Sequence, residues 1–205
     1  MDAPQVSDLG VVVVLAAGRS SRMGEPKGLV PFRGRPWLLA QLDAIASAGG
    51  RAVIVLGTDR ERYLQALPGL AQRARLAFND DPDRGPFSSL QCGLAAATSA
   101  APAAAVFVLP VDVPAASPAV WRALRQALAG SPTADAVVPE LEGRGGHPVL
   151  LSPSTAALLQ SRPATSRLDV ELAALPQILR APVKDPFIRL NLNAPPDWGK
   201  LEAGQ

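Results

Sequence analysis

The chain has 205 residues, 48% of them hydrophobic and 19% charged, with a net charge of +2. That length supports one well-buried core, so a single domain over residues 1–205 is expected. Three lysines, scattered arginines and few aromatics argue against nucleic-acid partners, and the single cysteine, Cys92, excludes an intramolecular disulfide or a cysteine-built zinc cluster. Asp2 and Asp8 precede an apolar run too short to span a bilayer, which predicts a cytoplasmic protein with no membrane partner.

The first predicted element is a strand at Val11–Leu15, whose four consecutive valines suit a strand covered on both faces. It runs into the loop Ala16-Ala-Gly-Arg-Ser-Ser-Arg-Met-Gly-Glu-Pro-Lys27. Gly18 and Gly24 let backbone N–H groups turn toward an anion, and Arg19, Arg22 and Lys27 supply positive charge. Neither a Walker loop nor a G-x-G-x-x-G fingerprint fits the spacing. The loop is read as a phosphate site in preference to a tight turn with solvated arginines.

A helix follows from Trp37, with Leu38, Leu42 and Ile45 at helical spacing, until Gly49-Gly50 stops it. A strand at Ala52–Leu56 leads to Thr58 and Glu61, a capping-box pattern before Tyr63 and Leu64. Asp80-Asp-Pro-Asp-Arg84 reads as a solvated loop. Ser88 and Gln91 form a second capping-box pattern before Leu94. The alanine-rich stretch from Leu94 to Leu109 is divided by Thr98, Ser99 and Pro102 into a helix end, a turn and a strand at Ala105–Leu109.

Asp112 follows that strand and precedes Val113-Pro114, which places a hard oxygen ligand for Mg²⁺, or alternatively a cap, at a strand's carboxyl end. Ser117-Pro118 and Ser152-Pro153 put proline in the first turn of two further helices, the first carrying Val120, Trp121, Leu124 and Leu128 on one face. A strand is predicted at Ala136–Val138. His147, the only histidine, lies in a glycine-bearing turn before Val149-Leu150-Leu151. Alternating strands and helices predict an α/β fold with a mainly parallel sheet, whose strand ends bring the first loop, Ser88 and Asp112 to one crevice.

Leu15-Ala-Ala-Gly18, Arg22-Met-Gly24, Pro26-Lys27, Val111-Asp-Val-Pro114, Gly146-His-Pro-Val149 and Asn191-Leu-Asn-Ala-Pro195 together resemble the molybdenum-cofactor type of NTP-transferase, above all the molybdenum cofactor cytidylyltransferases. The resemblance covers nearly the whole chain. It implies a Rossmann-like three-layer domain with a mainly parallel mixed sheet, similar to the nucleotide-diphospho-sugar transferases. It further implies transfer of CMP from CTP to the phosphate of molybdenum-bound molybdopterin with release of pyrophosphate. Other readings open to the chain are a GTP-using guanylyltransferase, a sugar-phosphate nucleotidyltransferase, or a non-catalytic molybdenum cofactor binding and delivery module. A molybdenum hydroxylase or its maturation chaperone would receive the product.

On this resemblance Arg22, Lys27 and Asp112 carry catalysis. Leu15, Ala16, Ala17, Gly18, Arg19, Ser20, Arg22, Gly24, Lys27, Ser88 and Ser89 bind the nucleotide. Asp112 is the family's magnesium aspartate, and His147 stands on the acceptor side. Asn193 either completes the metal site or caps the last helix. Ala16-Ala17 and the segment Gly85–Leu90 resemble the cytidine-using group, whereas the Asn-x-Asn ending resembles the guanylyltransferases.

Overall fold

A computed structural model describes residues 9–18 and 24–203. In chain order, strand β1 (Gly10–Ala16) precedes a hairpin of β2 (Pro31–Phe32) and β3 (Arg35–Pro36), helix α1 (Trp37–Ser47) and β4 (Gly50–Leu56). Next come α2 (Arg60–Ala66), α3 (Leu70–Arg73), β5 (Arg75–Phe78), α4 (Pro86–Ala100), β6 (Val106–Pro110) and α5 (Pro118–Gly130). The last third holds β7 (Ala136–Leu141), β8 (Arg144–Gly145), β9 (Val149–Leu151), α6 (Pro153–Gln160), α7 (Leu168–Ala173), β10 (Ile178–Pro182) and α8 (Pro195–Ala203).

The main sheet runs β10-β7-β9-β6-β1-β4-β5, with β8 paired to β7. β1 is parallel to β4 and β6, while β9 runs antiparallel to both β6 and β7. The expected mainly parallel mixed sheet is therefore present. Alternation along β1 sends Val12 and Val14 into one apolar cluster and Val11 and Val13 into another. Leu38, Ile45, Trp121 and Leu124 from α1 and α5 cover the first face, and Leu90, Leu94 and Leu159 from α4 and α6 cover the second. The result is three layers.

The expected strands at 11–15, 52–56, 105–109 and 136–138 lie within β1, β4, β6 and β7, the third shifted by one residue. Two capping patterns are corrected. Residues 57–60 form a turn closed by Arg60 N–H on the Gly57 carbonyl, so α2 begins after Thr58 and no side chain caps it. Helix α4 starts at Pro86, ahead of Ser88, whose hydroxyl donates back to the Gly85 carbonyl at 2.7 Å. Ser152 does cap α6, accepting the Thr155 N–H. Among the described residues no helix is long and apolar enough to cross a membrane.

Candidate active site

The carboxyl ends of β1, β4, β5 and β6 all open on one edge of the sheet, because these strands run parallel. Lys27 rises there from a short 3-10 turn, Lys27–Leu29. That turn is held from beneath: Leu29 N–H donates to Pro26 at 2.8 Å, and Gly28 N–H donates to the Tyr63 hydroxyl at 3.0 Å. A side chain at Gly28 would meet the Tyr63 ring and hydroxyl at 2.8 Å, so only glycine lets the turn sit this close.

Asp112 follows β6 on a backbone fixed from two directions. Trp37 Nε1 and Gln41 Nε2 both donate to the Val111 carbonyl, at 2.7 and 2.6 Å. Trp37 therefore does more than the packing role its helical spacing suggests. The Asp112 carbonyl in turn accepts the Leu192 N–H at 2.7 Å, which anchors the segment Asn191–Asn193 beside it. Lys27 Nζ lies 2.7 Å from Asp112 Oδ2 and 2.7 Å from Asn193 Oδ1. Three residues far apart in sequence thus meet around one ammonium.

Asn193 does not cap α8. The Asp197 carboxylate takes the N–H groups of Asn193 and Ala194, at 3.1 and 3.0 Å, and these bonds, the Ala194 one foremost, hold its carboxyl below the usual range. The Asn193 side chain is left facing Lys27. Carboxylate and amide oxygens converging on a cation form a hard donor set of the kind Mg²⁺ or Mn²⁺ accepts. The residues present fit such an ion, although among the described residues no group of three or more His, Cys, Asp and Glu could hold a metal.

The other expected site residues fall into distinct places. Leu15 lies at the end of β1 and lines the cleft, Ala16 and Ala17 are buried, and Gly18 and Gly24 are exposed, Gly24 with φ +67°. Arg19, Ser20 and Arg22 lie outside the described residues. Ser88 and Ser89 do not open onto the cleft: they are buried, and both hydroxyls accept from the Asn79 side chain, at 2.8 and 2.9 Å. Asn79 also accepts the Asp81 N–H and so fastens the loop before α4.

The backbone at His147 is held from two sides. Its N–H donates to the Ile188 carbonyl at 2.8 Å, while Gly146 N–H donates to Pro139 at 2.9 Å and leaves no room for a Cβ against Ile188. Burial pushes the imidazole pKa below its ordinary value, with the Asp112 charge and a bond to the Val108 backbone opposing. A neutral ring thus borders a cavity of about 860 Å³ that also touches Leu15, Phe87, Pro110, Arg167 and Arg180. Its floor is apolar. Arg180 and Asn79 carried no motif in the sequence; only the strand crossing places Arg180 at the rim.

A family model described as the MobA-like NTP transferase domain matches residues 12–178. A molybdenum cofactor guanylyltransferase of Xanthomonas euvesicatoria is 40% identical over 108 residues, 53% of this chain and 49% of that protein. One of Pseudomonas fluorescens is 31% identical over 118 residues, 57% of this chain and 54% of that protein. The chain's matches thus span about half the length of these curated relatives. Among solved structures, Rv0371c of Mycobacterium tuberculosis superposes with a TM-score of 0.74 at 26% identity, covering 94% of this chain and 97% of that one. A nucleotidyl transferase of Methanothermobacter superposes with 0.72 at 25% identity, covering 95% and 96%. A manganese complex of Rv0371c, at 23% identity, TM-score 0.69 and coverage of 95% and 98%, shares the fold.

Proposed function

The chain belongs to the MobA-like NTP transferase family, and from that premise we propose that it transfers a nucleotidyl group from a nucleoside triphosphate to the phosphate of a molybdopterin-type acceptor. The observation that carries this reading is the meeting of Lys27, Asp112 and Asn193 at 2.7 Å contacts beside a cleft. An acceptor phosphate oxygen attacks the α-phosphorus, the bond to the β-phosphate oxygen breaks, and pyrophosphate leaves with the electron pair. No proton need be removed from an ionised phosphate, so no general base is required.

Lys27 accompanies the charge that develops on the α-phosphate, a role suited to a mobile ammonium, and Asp112 with Asn193 would hold the metal. A bound Mg²⁺ supplies charge neutralisation on the triphosphate. Main-chain groups at the end of β1 hold the phosphates, and Arg22 adds a planar fork. The cavity beyond His147 receives the acceptor: about 860 Å³ falls within the range of small-molecule sites, roughly 300–1,000 Å³, and an apolar floor suits a flat heterocycle.

GTP is the favoured donor, supported by the two guanylyltransferase relatives and by the Asn-x-Asn ending. The serine-rich segment that pointed to CTP spends its hydroxyls on Asn79. CTP remains the second reading because of Ala16-Ala17.

Pyrophosphate release by the purified protein, with Mg²⁺ and molybdenum cofactor and with GTP or CTP in parallel, tests the reading. Acceptor-dependent release with GTP is expected. Release without any need for the cofactor, or none with either nucleotide, would turn the assignment toward another acceptor or a delivery module. Asp112→Ala is expected to lower turnover by about 10²–10³-fold with the fold intact, as loss of a preorganised electrostatic group does.

A further inference from the structure

The two oxygens suited to a divalent cation already hold one cation, the Lys27 ammonium. The Lys27 and Asp112 side chains keep only 20% and 24% of their exposure, so this is a half-buried pair and not a solvated surface contact. Resting on the transfer reading of the same site, we propose that Lys27 is the resident counter-ion of the metal site. A divalent ion then enters only together with the nucleoside triphosphate, which draws Lys27 away while its own oxygens complete the ion's shell.

The donor count supports this. Asp112 and Asn193 offer two protein ligands, one of them neutral, and no larger acidic cluster lies among the described residues. Mg²⁺ demands octahedral coordination and is usually held by one or two carboxylates plus substrate phosphates. A free ion would have to expel an ammonium from a carboxylate in return for two ligands. An ion carrying phosphate oxygens brings both the missing ligands and a new partner for the lysine.

The frame around the exchange is rigid, which confines it to one side chain. Gly28 N–H on Tyr63 and the absence of space for a Cβ hold the backbone below Lys27. Leu192 N–H on the Asp112 carbonyl keeps Asp112 and Asn193 paired when the ammonium leaves. The four-carbon stem of lysine can swing between the two partners without moving either frame. By linkage, nucleotide and metal must raise each other's affinity through Lys27.

Binding of Mn²⁺ to the protein, read from the electron paramagnetic resonance signal of the free ion, tests this without acceptor or turnover. In the absence of nucleotide, Lys27→Met is expected to bind Mn²⁺ about tenfold or more tightly than the unaltered chain, equivalent to about 1.4 kcal/mol. GTP should raise Mn²⁺ affinity more in the unaltered chain than in the variant. Circular dichroism checks folding, and Lys27→Gln serves as a second neutral replacement. Equal Mn²⁺ affinity in the unaltered chain and a folded neutral variant overturns the exchange, as does failure of every form to bind Mn²⁺. Pyrophosphate release reports separately on the transfer reading, so either can fail while the other stands.

Discussion

Tyr63, the only tyrosine in the chain, shows how one buried hydroxyl organises the site. Burial pushes its phenol up to about 12 from 10, against the opposing Gly28 N–H bond. An unfolded chain ionises this group near 10, so between pH 10 and about 12 the unfolded state binds fewer protons and native stability falls as pH rises. Below 10 that contribution is wholly present. Phenolate absorbance is therefore expected to rise near pH 12, or together with unfolding, and an ordinary titration near 10 in the folded protein would refute the burial. Gly28→Ala drives a Cβ into this hydroxyl. The displaced Lys27 should lower turnover by about 10²-fold, the scale of an ångström-sized misplacement, with steady-state kinetics and a melting curve separating that loss from unfolding.

Elements meet with equally little slack where α4 crosses the sheet. A Cβ on Gly93 would fall within the side chains of Val13 and Val55, so helix and strands touch without an intervening layer. Gly93→Ala is expected to destabilise the protein by about 1–3 kcal/mol through overpacking, measured as a lower urea midpoint with unchanged slope. The same helix illustrates how a capping pattern misleads. Ser88 and Gln91 have the right spacing, but Pro86 starts the helix two residues earlier, and Gln91 reaches the carbonyls of Leu159, Gln160 and Arg162 at the end of α6. Both buried serines accept from Asn79, and Ser88 donates to Gly85, which clasps the loop between them. The edge strands β5 and β10 give a weak sequence signal because they are short and their residues are mostly exposed or half-buried.

Across the whole molecule, Lys27 and Asp112 meet at the carboxyl ends of β1 and β6, while the cavity is lined from β1, α4 and β6 on one side and from β7, β9 and β10 on the other. Arg180 lies at the far rim, its guanidinium against Gly145, while the neighbouring Arg167 is already paired with Asp169. Arg180→Ala is expected to raise the acceptor KM by about tenfold, the loss of one charge-assisted hydrogen bond, and to leave nucleotide affinity unchanged. Parallel loss of nucleotide binding in equilibrium titration would mean that nucleotide and acceptor binding are not separable in this way.

The chain by itself determined the strand periods, the helix faces at Trp37 and Trp121 and the position of Asp112 at a strand end, because each follows from residues close together in sequence. Period-two and period-3.6 patterns are local, and so are the turns that glycine and proline permit. Only the tertiary structure decided that Asn193, 166 residues beyond Lys27, shares its ammonium with Asp112, that Asp197 takes over the capping role, and that Ser88 and Ser89 face Asn79 instead of the cleft. Those outcomes depend on how the sheet crosses over and which way each side chain points. A polar residue in a pattern carries its chemistry with it but not its partner, which packing supplies.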